Sequence, residues 1–179
     1  MSTKQLVTGS ILTAITLIIL YMTLLIPTNT LALLTLASIT VPVALIRENI
    51  KTSLLVYITS SLLGVILLPL NISLLYILFF GCYGLIKHFI EKLNILPFEW
   101  ILKFIFFNIM LVIGYMFFKN LVNPGSLDGL IHLIQKLLPS LNFSPLLIAF
   151  LLAQGCFIVY DYAFTLLIDF YYTYLDKHL

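Results

Sequence analysis

Residues Leu6–Ile26 read LVTGSILTAITLIILYMTLLI, an apolar run of 21 residues that contains no charged side chain. At about 1.5 Å of rise per residue, a helix of this length spans the roughly 30 Å hydrocarbon core of a bilayer. A signal peptide also begins with a cation such as Lys4, but its apolar core has only ~7–15 residues and a small-residue cleavage site follows it. The Pro-Thr-Asn turn at 27–29 offers no such site. The sequence therefore predicts an uncleaved first transmembrane helix.

The rest of the chain has the same character. Of its 179 residues 62% are hydrophobic and 9% are charged, and the mean hydropathy is +1.16, whereas a soluble domain carries about 25% charged residues. Helices of roughly 20 residues cross the bilayer, so the chain accommodates about six spans with short connections and no second domain. We predict an all-α polytopic membrane bundle, with one transmembrane domain over residues 1–179 that is surrounded by the lipid bilayer.

Turn-forming and charged stretches separate the spans. Clusters of proline and asparagine occur at 27–29 and 69–71, and charged residues occur at 47–51 and 91–97. Such clusters interrupt helices. The predicted spans are Leu6–Ile26, Leu31–Ile46, Thr52–Leu68, Ser73–His88, Phe98–Phe118 and Pro145–Tyr172.

The distribution of cations predicts the orientation. With the N-terminus inside, seven cations fall on the cytoplasmic side, namely Lys4, Arg47, Lys51, Lys87, Lys92, Lys103 and Lys177. Only Lys119 and Lys136 then lie outside. Positive residues accumulate on the cytoplasmic side of membrane proteins. We therefore expect a multi-pass protein of a bacterial-type inner membrane with both termini in the cytoplasm.

The long connection from Lys119 to Ser144 contains its own helix signal. Ser126 is a suitable N-cap, apolar residues recur at helical spacing over 127–138, and Pro139 ends the pattern. The sequence predicts an outer amphipathic helix. It is either a lid over an outward-facing pocket or a helix that lies in the outer headgroup layer.

One carboxylate lies inside the sixth predicted span. Asp161 is about 11 residues, or roughly 16 Å of helix, from the cytoplasmic end, and an ionisable residue in the bilayer costs about 2.5–3.5 kcal/mol unless it has a partner or a task. Asn108 in the antiparallel fifth span is expected at similar depth, with no cation there, while Lys103 is expected to pair with Asp169. Two roles remain open for Asp161: a ligand-binding or proton-linked carboxylate, or a buried interhelical hydrogen bond to Asn108 or a tyrosine.

Aromatic side chains surround this carboxylate and occupy the fourth span. Tyr160 and Tyr162 flank Asp161, and Tyr76, Phe80 and Tyr83 recur on one helical face. These rings either stack on a flat ligand or pack in the core.

Small residues form two adjacent stripes in the first span. Gly9 and Thr13 are four residues apart, as are Ser10 and Ala14. This spacing allows close approach of another helix or another subunit.

Signatures of catalysis and metal binding are missing from the sequence. There is no HExxH, GxSxG or phosphate-loop motif, and His88, His132 and His178 lie at span ends or in loops. Cys82 and Cys156 lie in apolar runs without a CxxC pattern. The net charge of +2 is too small and too scattered for a nucleic-acid surface. We therefore expect no enzyme, cofactor, metal or nucleic-acid partner.

The chain resembles the substrate-binding S components of energy-coupling-factor vitamin transporters and the small bacterial membrane proteins grouped around them. The resemblance rests on size, on six spans with both ends inside, and on the stretches Leu31–Lys51, Phe79–Lys87, Glu99–Asn108 and Tyr160–Tyr162. It implies a solute pocket that opens outward among the later helices. It also implies that the first helix docks, at Ser10 and Ala14, on a transmembrane coupling subunit driven by ATPases.

Three functions follow from these patterns. The leading hypothesis is a non-enzymatic solute-binding subunit of a membrane transporter. The alternative is a structural or assembly protein of the cell envelope without a ligand, in which Asp161 and the tyrosines only hold the bundle together. A polytopic membrane enzyme is the third.

Overall fold

The computed structural model describes residues 2–117, 145–171 and 173, which contain helices and turns but no strand. Each of the six main helices is long and apolar enough to cross a membrane. They are α1 (Thr3–Leu25), α2 (Thr30–Arg47), α3 (Ile50–Leu67), α4 (Leu70–Glu91), α5 (Leu96–Phe117) and α6 (Pro145–Phe170). The predicted all-α polytopic bundle is confirmed, and the protein is a multi-pass membrane protein. The predicted outer helix at 127–138 lies outside the described residues.

The ends of the helices follow from local chemistry. Ser2 caps α1 through a capping box with Gln5, and Asn49 caps α3 by accepting a hydrogen bond from the backbone N–H of Thr52. Such caps satisfy backbone donors that have no partner within the helix. The fourth helix is longer than the predicted Ser73–His88, since it begins directly after Pro69 and ends at Glu91.

The interior of the bundle is formed mainly by α2 and α4. Buried residues of α2 include Leu34, Ala37 and Val41, which pack against α1, α3 and α4. Hydroxyl groups join these helices as well, because Thr16 bonds to Thr40 over 2.6 Å between their Oγ1 atoms. Interhelical hydrogen bonds of this kind supplement packing in the bilayer, where lipid weakens the hydrophobic drive for helix association.

The surface of the bundle is apolar, as lipid contact requires. Helices α1, α3, α5 and α6 expose many large hydrophobic side chains. In α5 the buried residues are only Lys103 and Gly114. Its half-buried Phe104, Phe106 and Phe107 pack against the aromatic core around Tyr83 and Phe157, so α5 joins the others through rings and one buried charge.

A π-helical segment, Tyr76–Gly81, interrupts α4. It lies where α4 packs closely on its neighbours, because a Cβ atom at Gly81 would lie 2.9 Å from the Tyr57 ring. One turn later, a Cβ atom at Gly84 would lie 2.9 Å from Cδ of Pro42 in α2. π-Helical turns are rare and often occur at functional sites. This one lies directly before the charged residues of α4.

Candidate functional site

Four charged side chains meet where α4, α5 and α6 converge, and we call Lys87, Glu91, Lys103 and Asp161 the charged network. The Nζ atom of Lys87 contacts Oδ1 of Asp161 and lies 2.9 Å from Oε1 of Glu91. The Nζ atom of Lys103 lies 2.8 Å from the same Glu91 oxygen and 3.1 Å from Oδ2 of Asp161. Two cations thus share two carboxylates, and the network is neutral as a whole.

Two neutral hydroxyl groups complete the network. Tyr83 donates a hydrogen bond to Oδ1 of Asp161 over 2.5 Å. Lys87 donates to Oγ1 of Thr165, which itself donates to the backbone carbonyl of Asp161. Both carboxylate oxygens of Asp161 are therefore occupied, and Lys87 has an oxygen partner for each of its three N–H bonds.

Helical spacing explains how each element presents its groups. Tyr83, Lys87 and Glu91 follow one another at intervals of four residues on α4, and Asp161 and Thr165 do so on α6. Side chains four residues apart lie on the same face of a helix. One stripe of α4 therefore faces one turn of α6, and α5 adds Lys103 from the side.

The members of the network differ in their exposure. The side chains of Lys87, Lys103 and Asp161 are at most 5% exposed, whereas that of Glu91 is 40% exposed. A buried ion pair is costly to break, because removal of one partner leaves the other charge uncompensated in the low-dielectric interior. The network thus has a fixed buried part and one accessible carboxylate.

The position of Asp161 differs from the sequence-based expectation. Its partner Lys87 lies four residues from the end of α4, and Lys103 lies seven residues from the start of α5. These intervals correspond to about 6 Å and about 10 Å of helix. The carboxylate is therefore close to one end of α4 and α5, and the expectation that no cation lies at its depth was wrong.

The predicted pairing between α5 and α6 was also wrong. Lys103 contacts Asp161 instead of Asp169, and Asn108 accepts a hydrogen bond of 2.8 Å from Gln154 instead of approaching Asp161. Both pairs are displaced in the same direction by about two helical turns. The prediction aligned the span ends, but α6 continues beyond the level at which α5 begins.

The aromatic residues of α4 lie in a packed core. Tyr76 bonds to Ser60 over 2.9 Å, and the ring of Phe80 lies 5.1 Å from that of Tyr160. Tyr83 is surrounded by rings, including that of Phe164 at 5.8 Å. These contacts match the core-packing alternative of the sequence analysis.

Tyr162 lies apart from this core. Its side chain is directed outward and is 67% exposed. The structure therefore separates Tyr162 from the predicted site, because neighbouring residues on a helix point in different directions.

The two small-residue stripes of α1 have different surroundings. Gly9 and Thr13 face α3, since a Cβ atom at Gly9 would lie 3.3 Å from Cγ2 of Thr52 and Thr13 bonds to a threonine of α3. Ser10 and Ala14 are exposed and border a groove of about 360 Å³ between α1 and α3. Gly9 and Thr13 line the same groove, but the second stripe is the more exposed of the two.

A cavity of about 230 Å³ lies beside the charged network, between α2, α4 and α6, and we call it the α4–α6 cavity. The network contributes Lys87 and Glu91 to its wall, together with Thr165. His88 and Asp169 add further polar groups. Its apolar wall is formed by Pro42, Leu45, Ile46, Gly84 and Ile168.

Comparisons of the chain with protein-family models, with curated proteins and with solved structures give no match. Among the described residues, no three His, Cys, Asp or Glu side chains are arranged to hold a metal ion. The described site offers ionic binding and hydrogen bonding by two lysines, two carboxylates and two hydroxyl groups.

Sequence reasoning missed Lys87, Glu91, Thr165 and Gln154 as members of these contacts. A signal was present, because Tyr83, Lys87 and Glu91 recur every fourth residue. The two charged residues lie near the end of a span, where lysine and glutamate normally contact water, so their residue types alone do not indicate a buried ionic site.

Proposed function

We propose that the protein is the solute-binding subunit of a membrane transporter and that the α4–α6 cavity holds a small polar solute. The observation that carries this proposal is the contact between the cavity and the charged network. Ionisable residues within membrane spans are rare and mark the paths of substrates and ions. An ion pair that only held helices together would not need a cavity at Lys87.

The roles of the network residues follow from their surroundings. Asp161 is saturated by Tyr83 and two lysines, so it positions the lysines rather than touching the solute. Lys87 and Glu91 line the cavity, so they are the members of the charged network nearest to the solute. The proposed role is binding, without a chemical step.

The orientation predicted from the cations places this cavity on the cytoplasmic side. The resemblance to S components implies an outward-facing pocket, so the α4–α6 cavity would be the inner site of the pathway. The exposed stripe at Ser10 and Ala14 supports the other part of that resemblance, because it is open to a coupling subunit.

The structural or assembly role is the second candidate. It is favoured by the mutual pairing within the charged network, which joins three helices without any ligand. In this case the α4–α6 cavity would be a packing defect filled by water or lipid. The two candidates differ in the partners that they require.

Purification of the tagged protein from membranes in mild detergent tests the proposal. A transport subunit should retain a pair of ATPases and a larger membrane protein in comparable amounts, which mass spectrometry would identify. Recovery of the protein alone, or with envelope-assembly proteins only, would refute the transport role and favour the second candidate.

A further inference from the structure

The two lysines of the charged network converge on a single oxygen atom. Oε1 of Glu91 lies 2.9 Å from Nζ of Lys87 and 2.8 Å from Nζ of Lys103. Both ammonium groups are buried, while the Glu91 side chain is 40% exposed at the last residue of α4. A carboxylate that reaches the lysines from the exposed side is the one member of the network that a solute can replace.

Charge balance gives the sign of the replacing group. Without Glu91, the fixed part of the network is Lys87, Lys103 and Asp161, which carries one net positive charge. Asp161 is 5% exposed and has both oxygens occupied, so it cannot compensate the second ammonium group. A buried uncompensated charge is strongly unfavourable. The position of the Glu91 carboxylate therefore requires an anion whenever Glu91 leaves it.

The dimensions of the α4–α6 cavity limit the size and shape of the ligand. At about 230 Å³ it is below the roughly 300–1,000 Å³ of sites for drug-sized molecules, so it suits a solute with few non-hydrogen atoms. The apolar wall around Pro42 and Ile168 suits a short hydrocarbon part. Asp169 at the wall repels a second negative charge.

We propose that the α4–α6 cavity binds a small monocarboxylate whose carboxylate group takes the place of Glu91 between Lys87 and Lys103. The inference rests on the proposed function, because it names the class of solute for that site. In the empty protein Glu91 neutralises the two lysines. When the solute binds, its carboxylate makes the same two ionic contacts with the lysines, and the Glu91 side chain turns toward the solvent side. No bond is made or broken.

In this exchange Glu91 and the solute compete for the two lysines, and a variant without the Glu91 charge removes the competition. If Glu91 occupies the lysines in about 90% of wild-type molecules, the apparent affinity for the solute is about tenfold weaker than that of the open site. Glu91→Gln abolishes the competing charge. Propionate should therefore bind the Glu91→Gln variant about tenfold more tightly than the wild type.

The experiment is a thermal-unfolding titration of the purified protein in detergent with sodium propionate, at ionic strength held constant with sodium chloride. We expect Glu91→Gln to unfold at a lower temperature than the wild type. Propionate should raise the unfolding temperature of the variant and so remove this difference. Glu99→Gln is the matched control, since Glu99 carries a carboxylate in the first turn of α5 without contact to either lysine. It should unfold like the wild type and show the wild-type response to propionate.

Two further measurements keep the test decisive if Glu91→Gln does not fold. Propionate should raise the unfolding temperature of the wild type, while succinate should do so only after Asp169→Asn removes the repelling charge. The monocarboxylate assignment would be overturned if chloride raised the unfolding temperature as much as propionate does. It would also be overturned if propionate changed the unfolding temperature of neither the wild type nor Glu91→Gln. If the ATPases still co-purify, the transport proposal survives that result. Propionate binding without ATPases would retain the site and refute the transport role.

Discussion

Lys103 on α5 and Asp161 on α6 are joined by a contact of 3.1 Å between Nζ and Oδ2. This contact defines the register of α5 against α6 together with the stacked rings of Phe107 and Phe157, whose centroids lie 4.4 Å apart. The Asn108–Gln154 hydrogen bond continues the same register further along the two helices. The ionic contact therefore has a positional role in addition to its place beside the α4–α6 cavity.

Replacement of Asp161 by asparagine should lower the free energy of unfolding by about 3–5 kcal/mol, because two buried lysines would then share only Glu91. Thermal or denaturant unfolding in detergent measures this loss. Asp169→Asn is the control: Asp169 is exposed and outside the charged network, so its replacement should change stability by no more than about 0.5 kcal/mol. Equal stability of the two variants would show that the network does not stabilise the bundle.

Substitution of Gly84 by alanine should destabilise the bundle by about 1–3 kcal/mol, the usual effect of overpacking. The added Cβ atom would lie 2.9 Å from Cδ of Pro42, which cannot move without displacing the backbone of α2. Gly155→Ala provides the comparison, since nothing lies within 4 Å of its Cβ position. Alanine there should raise stability by roughly 0.5–1 kcal/mol through helix propensity. If both variants lose the same stability, the close contact of α2 and α4 is not the cause.

If the proposed coupling subunit docks on α1, Ala14→Trp should disrupt that complex while the protein still inserts and folds. The exposed stripe of Ser10 and Ala14 allows close helix approach only while its side chains are small. Co-purification from membranes measures the bound partners. Val112→Trp, at an exposed position of α5, should leave them bound. Retention of every partner by Ala14→Trp would show that this stripe faces lipid.

Cysteine labelling in intact cells should confirm the orientation. In a background without Cys82 and Cys156, Asn71→Cys should react with an impermeant thiol reagent, and Leu93→Cys should not, because the cations place the second position inside. Both residues are exposed. Leu93 is a better site than its neighbour Asn94, whose φ of 54° favours asparagine over cysteine. Labelling of Leu93→Cys but not of Asn71→Cys would show that the protein has the opposite orientation.

The sequence predicted the helices well because each span is encoded locally. The apolar runs and the clusters around Pro69 and Asn49 determine where helices begin and end, whatever the other helices do. The neighbour of Lys103 could not be found in the same way. Its partner depends on how far α6 extends past α5, which is a property of packing between distant segments. The predicted register was wrong by about two helical turns, so the prediction named Asp169 where the structure has Asp161.

The candidate site was predicted only in part. Asp161 was identified because a carboxylate in an apolar span is conspicuous in composition. Lys87 and Glu91 were not, because each residue type is ordinary at the end of a span. Their role becomes visible only when the stripe on α4 is placed against Thr165 and its neighbours on α6, and no local pattern shows which helix that stripe faces.

The dual contact of Glu91 also bears on how the chain enters the membrane during synthesis. Lys103 emerges from the ribosome 58 residues before Asp161, which at 5–20 residues per second corresponds to about 3–12 s. Glu91, by contrast, precedes Lys103 by 12 residues and is already available. Glu91 is thus the counter-ion that is available to Lys103 during the interval before Asp161 has been synthesised.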